Sequence, residues 1–256
     1  MYYKKSKGLY QKNSTEPFQI SRSKIELYLN CPRCFYMECR LGLGRPSTPP
    51  YTLNSAVDSL LKNEFDLLRQ NGEKHKLMQE YGIDAIPFNH QDLPQWRGEV
   101  TAFVGALFHH TKTNLIINGL VDDIWINPQG ELILVDYKST STTKEITLDD
   151  EYKQSYKRQM EIYQWIFRQL GFTVSKTGYF IFANAQKNLP KFDGKLEFSM
   201  SIVSHDGDDS WIENTLSDIK SCLDSDKIPN ANQECDYCEY KKQSVQLVTR
   251  WLSQNK

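Results

Sequence analysis

Hydrophobic and polar positions divide the chain into segments of two periods. Val57, Leu60, Leu61, Phe65 and Leu68 recur at helical spacing, which predicts a helix from an Asn54 cap to Arg69, with Gly72 behind it. Met160, Ile162, Tyr163, Ile166 and Phe167 mark the buried side of a longer helix over Glu151 to Leu170, ended by Gly171. Asp209 to Leu223 reads as another amphipathic helix. Between the first two lies a stretch of a different kind. Leu115, Ile116 and Ile117 lead into Gly119, Val121 and Asp122, and Pro128-Gln129-Gly130 supplies turn chemistry. Leu132 to Val135 is an apolar run too short for a helix and rich in β-formers. Asn114 to Lys138 is thus expected to form two strands and a tight turn. Glu99 to His110 reads as a strand pairing with them, Gly178 to Ala183 as another strand, and Leu196 to Val203 as an edge strand.

The ends of the chain read as short pieces. Ser23-Lys24-Ile25-Glu26 fits a capping box, and Pro32 suits the first turn of a next helix, so two helices meet near Cys31 and stop at Gly42 or Gly44. Residues 71 to 97 read as irregular, Ser139 to Asp150 as a polar loop, and Val245 to Leu252 as a last short helix. Residues 1–20 read as a basic N-terminal tail (Lys4, Lys5, Lys7, Lys12), frayed or, on a sharper reading, an arm for a polyanion. The order helix, three strands, helix, strand implies an α/β fold with a mixed central sheet flanked by helices. Residues 21–256 are read as a single domain with the two cysteine segments meeting in a small lobe.

Composition narrows the function. The chain has 256 residues, 39% hydrophobic and 25% charged, an ordinary globular balance. Its formal net charge of -1 gives no bulk attraction to nucleic acid, so any such binding comes from a local patch. The first residues carry charge but no apolar signal-peptide core, and no apolar run is long enough to span a membrane. A cytoplasmic protein without a membrane partner is expected, and its six cysteines then read as ligands or buried thiols rather than disulfides.

The chemistry concentrates around the central strands. Carboxylates at the end of a buried strand are costly unless they are paired or bind a metal. Asp122 closes one strand and Asp136 the next, so a hairpin sets them side by side, and Lys138 faces the same side as Asp136. A lone Asp-x-Lys is common, and its plainer reading is a strand end with a solvated ion pair. The combination with Gly119-x-x-Asp122 and with Gln159 and Tyr163 on one helix face describes the parts of metal-assisted phosphodiester hydrolysis. Asp122, Asp136 and the backbone carbonyl of Tyr137 are the expected ligands of Mg²⁺ or Mn²⁺. Lys138 would position water or neutralise developing charge. Lys157 and Arg158, with Lys153 and the interleaved Tyr152 and Tyr156, could be a solvated face or could contact phosphate and stack on bases. Asp123 points to the other face and reads as structural, Glu64 as a surface charge, and His109-His110 as a water-facing strand end.

At these residues the sequence resembles a known family. Gly119-Leu120-Val121-Asp122, Val135-Asp136-Tyr137-Lys138 and Gln159-x-x-x-Tyr163 look like motifs of the RecB-like branch of the PD-(D/E)XK nucleases. The stretch from Ser21 to Arg40 and the C-terminal Cys-x-x-Cys resemble that branch too, in particular its CRISPR-adaptation and AddB-type cysteine-containing exonuclease domains. The resemblance spans Ser21 to Tyr240. It implies a restriction-endonuclease-like αβββαβ core, a DNA substrate met as single strands or duplex ends, and a nuclease role in repair, recombination or defence, as an exonuclease first and an endonuclease as the other possibility. A helicase or repair partner is left open. Two departures stand out. Asp58 occupies the place where the branch has a metal-binding histidine, and would either be an oxygen ligand there or leave the site weakened. The cysteines fall two and two, where iron–sulfur members have one and three. Alternatives of other classes are a non-catalytic nucleic-acid-binding module on the same fold and an RNA-directed nuclease.

Cys31-x-x-Cys34 and Cys235-x-x-Cys238 each have the spacing that lets two thiolates reach one metal, which predicts one tetrathiolate site joining the ends of the chain. Zn²⁺ and a [4Fe–4S] cluster both accept four thiolates; the two-plus-two layout resembles a zinc ribbon, while the family resemblance points to iron–sulfur. Cys39 and Cys222 lack a partner at ligand spacing and read as packing residues.

Overall fold

The computed structural model describes residues 8–102 and 104–255. In chain order they form β1 (Phe18–Ser21), α1 (Arg22–Asn30), α2 (Pro32–Cys39), α3 (Thr52–Asn71), α4 (Lys76–Glu80), β2 (Ile86–Pro87), α5 (Leu93–Trp96), β3 (Ala106–His110), β4 (Leu115–Gly119), β5 (Asp123–Ile126) and β6 (Leu132–Thr140). A short 3₁₀ turn (Glu151–Lys153) then leads into α6 (Gln154–Gln169), followed by β7 (Thr177–Ala185), β8 (Phe198–Asp206), α7 (Ile212–Asp224) and α8 (Asp236–Gln254). They divide into two compact units. One comprises residues up to Pro49, His109–Ile116 and Glu213 onward; the other comprises Pro50–Phe108 and Ile117–Ile212.

The larger unit is built on a five-stranded sheet in the order β2-β5-β6-β7-β8. β5 and β6 pair antiparallel, with Asp123 opposite Val135, and β6 pairs parallel with β7, with Asp136 opposite Phe180. A parallel neighbour needs a crossover, and α6 is that crossover. The continuous apolar run of β6 follows from its central place, because both of its faces are covered. Ile133, Val135 and Tyr137 pack with Leu61 and Phe65 of α3 and with Trp125, Met78 and Ile181. Asp136 and Lys138, one residue out of phase, face the other side. There α6 comes close to the sheet: a Cβ added to Gly119 would lie 2.6 Å from Tyr163 Cε1, and one on Gly178 2.8 Å from Met160 Cγ. The mixed sheet with helices on it is the expected α/β architecture.

In the smaller unit α1 and α2 meet at Cys31, with Tyr28 and Phe35 edge to face at 5.4 Å. Ile25, Phe35, Leu216, Ile219 and Leu223 are fully buried. The tip of the β3–β4 hairpin belongs here, and Asn114 O accepts from Phe18 N–H. Residues 1–7 of the expected basic tail, with Lys4, Lys5 and Lys7, lie outside the described residues. From Gly8 onward the remainder of that stretch takes part in the fold, since Tyr10 is buried and its hydroxyl donates to Asp224 Oδ1 (2.5 Å).

Several expectations are corrected. Asp122 does not close a strand: β4 ends at Gly119, and Asp122 sits in the bend that leads into β5, so Asn114–Lys138 holds three strands. The expected strand over Glu99 to His110 is shorter: β3 begins only at Ala106, and the described residues 99–102 and 104–105 before it are turn and loop. α3 begins at Thr52, before the expected Asn54 cap, and α1 begins at Arg22 without a side-chain cap bond. Residues 71–97 hold two short helices and β2. The last helix runs 19 residues and carries Cys238 in its first turn. His110 does not face water: it is buried, Nδ1 2.7 Å from Thr113 Oγ1 and Nε2 3.1 Å from Glu213 Oε2.

Candidate functional site

Asp136 is 1% exposed near the end of a strand that both neighbours hold in register. Its carboxylate is not left bare. Gln159 Nε2 donates to Asp136 Oδ1 (2.6 Å), and Lys138 forms an ion pair with Oδ2. The same Gln159 amide donates to Tyr163 OH (2.9 Å), one helical turn on, while its Oε1 accepts from Lys138 Nζ (3.4 Å). Both N–H donors and one oxygen lone pair of that amide are therefore engaged, which sets its orientation. Lys138 also lies 4.6 Å over the Tyr156 ring, where the ring face attracts a cation. Burial alone would lower the Lys138 pKa, but Asp136 and then Asp122 outweigh it and raise it above the ordinary lysine value, so Lys138 is an ammonium throughout the neutral range.

Asp122 approaches from the bend before β5. The N–H of Tyr137 donates to Asp122 Oδ2 (2.9 Å), which ties this carboxylate to the backbone between Asp136 and Lys138. Asp123, one residue on, goes to the opposite face as expected. It is fully buried, pairs with Arg69 and with Arg97 (2.9 Å), and accepts from Tyr137 OH (2.9 Å). Tyr137 thus braces the strand from both sides, with its backbone on Asp122 and its ring on Asp123.

Asp58 is on α3, half-buried. Burial raises its pKa and the charge of Asp122 raises it further, against Lys62. Lys62, which the sequence reading passed over, stands between the two: its Nζ is 2.9 Å from Asp58 Oδ2 and 3.6 Å from Asp122 Oδ1. Asp58-x-x-x-Lys62 was visible as an i,i+4 pair, but such pairs are ordinary on helix surfaces. Among the described residues the carboxylates of Asp58, Asp122 and Asp136 do not close into one tight cage; the four cysteines alone form such a group. Lys157 and Arg158 are half-buried on α6 just before Gln159, and Tyr152 is exposed at its start.

The cysteines of the smaller unit do come together. Cys31, Cys34, Cys235 and Cys238 have sulfurs all within 4.8 Å of one another, with Cys31–Cys238 at 3.8 Å and Cys34 at 3.7 Å from both Cys235 and Cys238. Cys39 and Cys222 are outside this group, as expected. Burial works against ionising Cys31, yet hydrogen bonds from the backbone at Asn232 and Cys34 and from the neighbouring thiols outweigh it and bring this thiol down to about 7. Cys238 is raised by burial and by the Cys34 and Cys235 sulfurs. A thiolate beside thiols is what four clustered cysteines do without a cation, and a metal that takes all four releases their protons. A second side chain missed in the sequence is Arg45: its Nη2 donates to Cys235 Sγ (3.4 Å), and its guanidinium lies 4.5 Å over the Tyr237 ring. A lone arginine in a Pro-rich loop carried no signal of that contact.

Residues 55–243 match the model of the PD-(D/E)XK nuclease superfamily. The chain belongs to that superfamily. Its members are typically metal-dependent nucleases, and at that level the chain has phosphodiesterase chemistry with DNA as the implied substrate. The matched span takes in Asp58, Asp122, Asp136, Lys138 and the Cys235–Cys238 pair, and leaves the Cys31–Cys34 pair outside. No curated protein matches the chain. One solved structure, "Crystal structure of SSO0001", is similar at 16% identity, covering 90% of this chain and 86% of that chain with a TM-score of 0.37. Among the described residues no helix is long and apolar enough to cross a membrane.

Proposed function

We propose that this chain is a metal-dependent DNA nuclease of the RecB-like branch, an exonuclease acting on single strands or duplex ends in repair, recombination or defence. The observation that carries the reading is the convergence of Asp122, Asp136, Lys138 and Gln159 on one face of β6, tied by the Tyr137 N–H and the Gln159 amide. The donor set fits a hard divalent cation, since carboxylate and carbonyl oxygens suit Mg²⁺ and Mn²⁺. Asp122, Asp136 and the Tyr137 carbonyl would hold it, with Asp58 in support. Bound there, a divalent ion lowers the pKa of its water and stabilises charge on the scissile phosphate. The chain's own groups do the rest. Lys138 positions the attacking water or offsets charge developing on the phosphate, and its ammonium fixes the Gln159 oxygen. Gln159 holds the Asp136 carboxylate on its ligating side, and Tyr163 holds Gln159. Lys157 and Arg158 lead DNA phosphates toward this face from the start of α6. The four cysteines hold a [4Fe–4S] cluster, with Zn²⁺ as the other tetrathiolate metal, in a structural role.

Labelled single- and double-stranded DNA incubated with the purified chain should be shortened from its ends in Mn²⁺ or Mg²⁺ and left intact in chelator. DNA that is bound but never cut under any divalent cation would replace this reading with the non-catalytic binding module. Asp58 gives a narrower test. If it supports the metal, Asp58→Ala should raise the Mg²⁺ concentration for half-maximal cleavage by about ten- to a hundredfold, the range for a residue acting on metal affinity from the edge of a site. An unchanged metal requirement would return Asp58 to being a helix charge paired with Lys62.

A further inference from the structure

The carboxylate site holds an internal cation that the reaction does not need. Lys62 follows Asp58 by one turn of α3, and its ammonium sits between Asp58 Oδ2 at 2.9 Å and Asp122 Oδ1 at 3.6 Å, with the side chain 17% exposed. Two hard oxygen donors on one positive charge are the surroundings of a metal ion with a lysine in its place. The charge count also matters. Asp58, Asp122 and Asp136 face Lys62 and Lys138, three carboxylates against two ammoniums, a near balance, while Arg97, which also acts on Asp58 and Lys62, is matched by its own partners Asp66 and Asp123. A dication added to all of these leaves positive charge in excess in a half-buried site, which is costly at low dielectric. With Lys62 swung out, the dication and Lys138 match the three carboxylates. The way out is open, because Ser59, Leu60 and Asn63 beside it on α3 are exposed and a lysine stem is flexible.

We propose that Lys62 is a built-in surrogate for the divalent ion: it holds Asp58 and Asp122 together in the metal-free protein, is displaced when the ion enters, and so sets the concentration at which the site fills. This rests on the nuclease reading of the site. The device makes loading a competition. The empty site keeps its shape without paying for two uncompensated carboxylates, and the ion must displace an ammonium to bind.

The experiment is calorimetric titration of the full chain with Ca²⁺, a hard cation that the soft thiolates of the cysteine site do not favour. Lys62→Met should bind Ca²⁺ about tenfold tighter than the wild type, within the ~5- to 150-fold range of a single coupling. Its Tm without metal should fall, and Ca²⁺ should raise that Tm by more than it raises the wild type's. Lys62→Arg, which keeps the charge, should not gain affinity. If Lys62→Met does not fold, Lys62→Gln is read by the same titration. Weaker or equal Ca²⁺ binding in the neutral variant overturns the surrogate. Asp122→Asn, titrated alongside, separates the two levels. If it binds Ca²⁺ as well as the wild type, the metal site itself is misplaced; if it loses binding while the Lys62 variant gains nothing, only the surrogate fails.

Discussion

Asp136→Asn should cut the rate of DNA hydrolysis by about 10³-fold or more, with the chain still folded and metal still bound at the cysteines. The size follows from what a metal ligand supports: several kcal/mol of charge stabilisation, and ~4 kcal/mol corresponds to about three decades in rate. Asparagine is the informative replacement because Asp136 is 1% exposed and carries the ion pair to Lys138. Alanine would open a void as well as leave the ammonium unmatched, and lost packing would then be mixed with lost chemistry. The amide keeps the shape and one oxygen. It removes the negative charge that Gln159 and Lys138 both face. Lys138→Met should act differently. It removes the cation but no oxygen ligand, so the rate should drop by about 10²- to 10³-fold, the range for one preorganised charge-stabilising group, while Ca²⁺ affinity is kept or improved. Circular dichroism and Ca²⁺ titration beside the cleavage assay keep these outcomes apart. An Asp136→Asn protein that cuts at the wild-type rate would move the chemistry away from β6.

The strand that carries Asp136 and Lys138 is legible in the sequence for a physical reason. Leu132–Val135 is apolar without a break because β6 is covered on both faces, and a charge directly after such a run must be paired or functional. Strand parity then places Asp136 with Lys138 and sends Asp123 to its two arginines. The helical stripes of α3 and α6 were as plain, since each buries one face. Less legible was what depends on the third dimension. The bend at Asp122 was read as a strand end because Val121 and Ile124 flank it with apolar side chains, yet the chain leaves β4 at Gly119 and enters β5 only at Asp123. Lys62 reads as half of a surface pair with Asp58, because nothing in the local sequence shows that the fold brings Asp122 Oδ1 to within 3.6 Å of its ammonium. α8 is longer than its apolar positions suggest: it runs from Asp236 to Gln254 with none of its side chains buried, so no apolar stripe marks its first two turns. Arg45 could not be found at all, because its partner Cys235 lies 190 residues along the chain.

The second large effect belongs to the cysteines. Removing one thiolate, by Cys34→Ala or Cys235→Ala, should empty the tetrathiolate site and lower the thermal midpoint of the chain by about 10 °C. That corresponds to ~4 kcal/mol in a chain of this size, a modest part of the ~10 kcal/mol or more by which a structural metal can favour the folded state. The reason to expect so much is the distance the site closes. Cys31 and Cys238 are 207 positions apart, and their sulfurs lie 3.8 Å from each other. Cys34 touches both members of the C-terminal pair at 3.7 Å, so each end of the chain contributes two of the four donors and neither pair suffices alone. The thiols are already gathered before any ion is considered, with Cys31 brought down to about 7, so the ordering cost of assembling the ligands is largely met by the fold. Stability gained in this way depends on pH through the protons that the metal displaces: it should be complete near neutral pH and be lost as the solution becomes acidic enough to protonate the ligands. Anaerobically purified protein should be brown, with iron and acid-labile sulfide in the ratio of a [4Fe–4S] cluster, and either cysteine variant should be colourless. Colourless wild-type protein with one bound zinc would replace the cluster by zinc and leave the stability argument standing. Wild-type protein purified without either metal, and cysteine variants that melt with it, would remove the shared site.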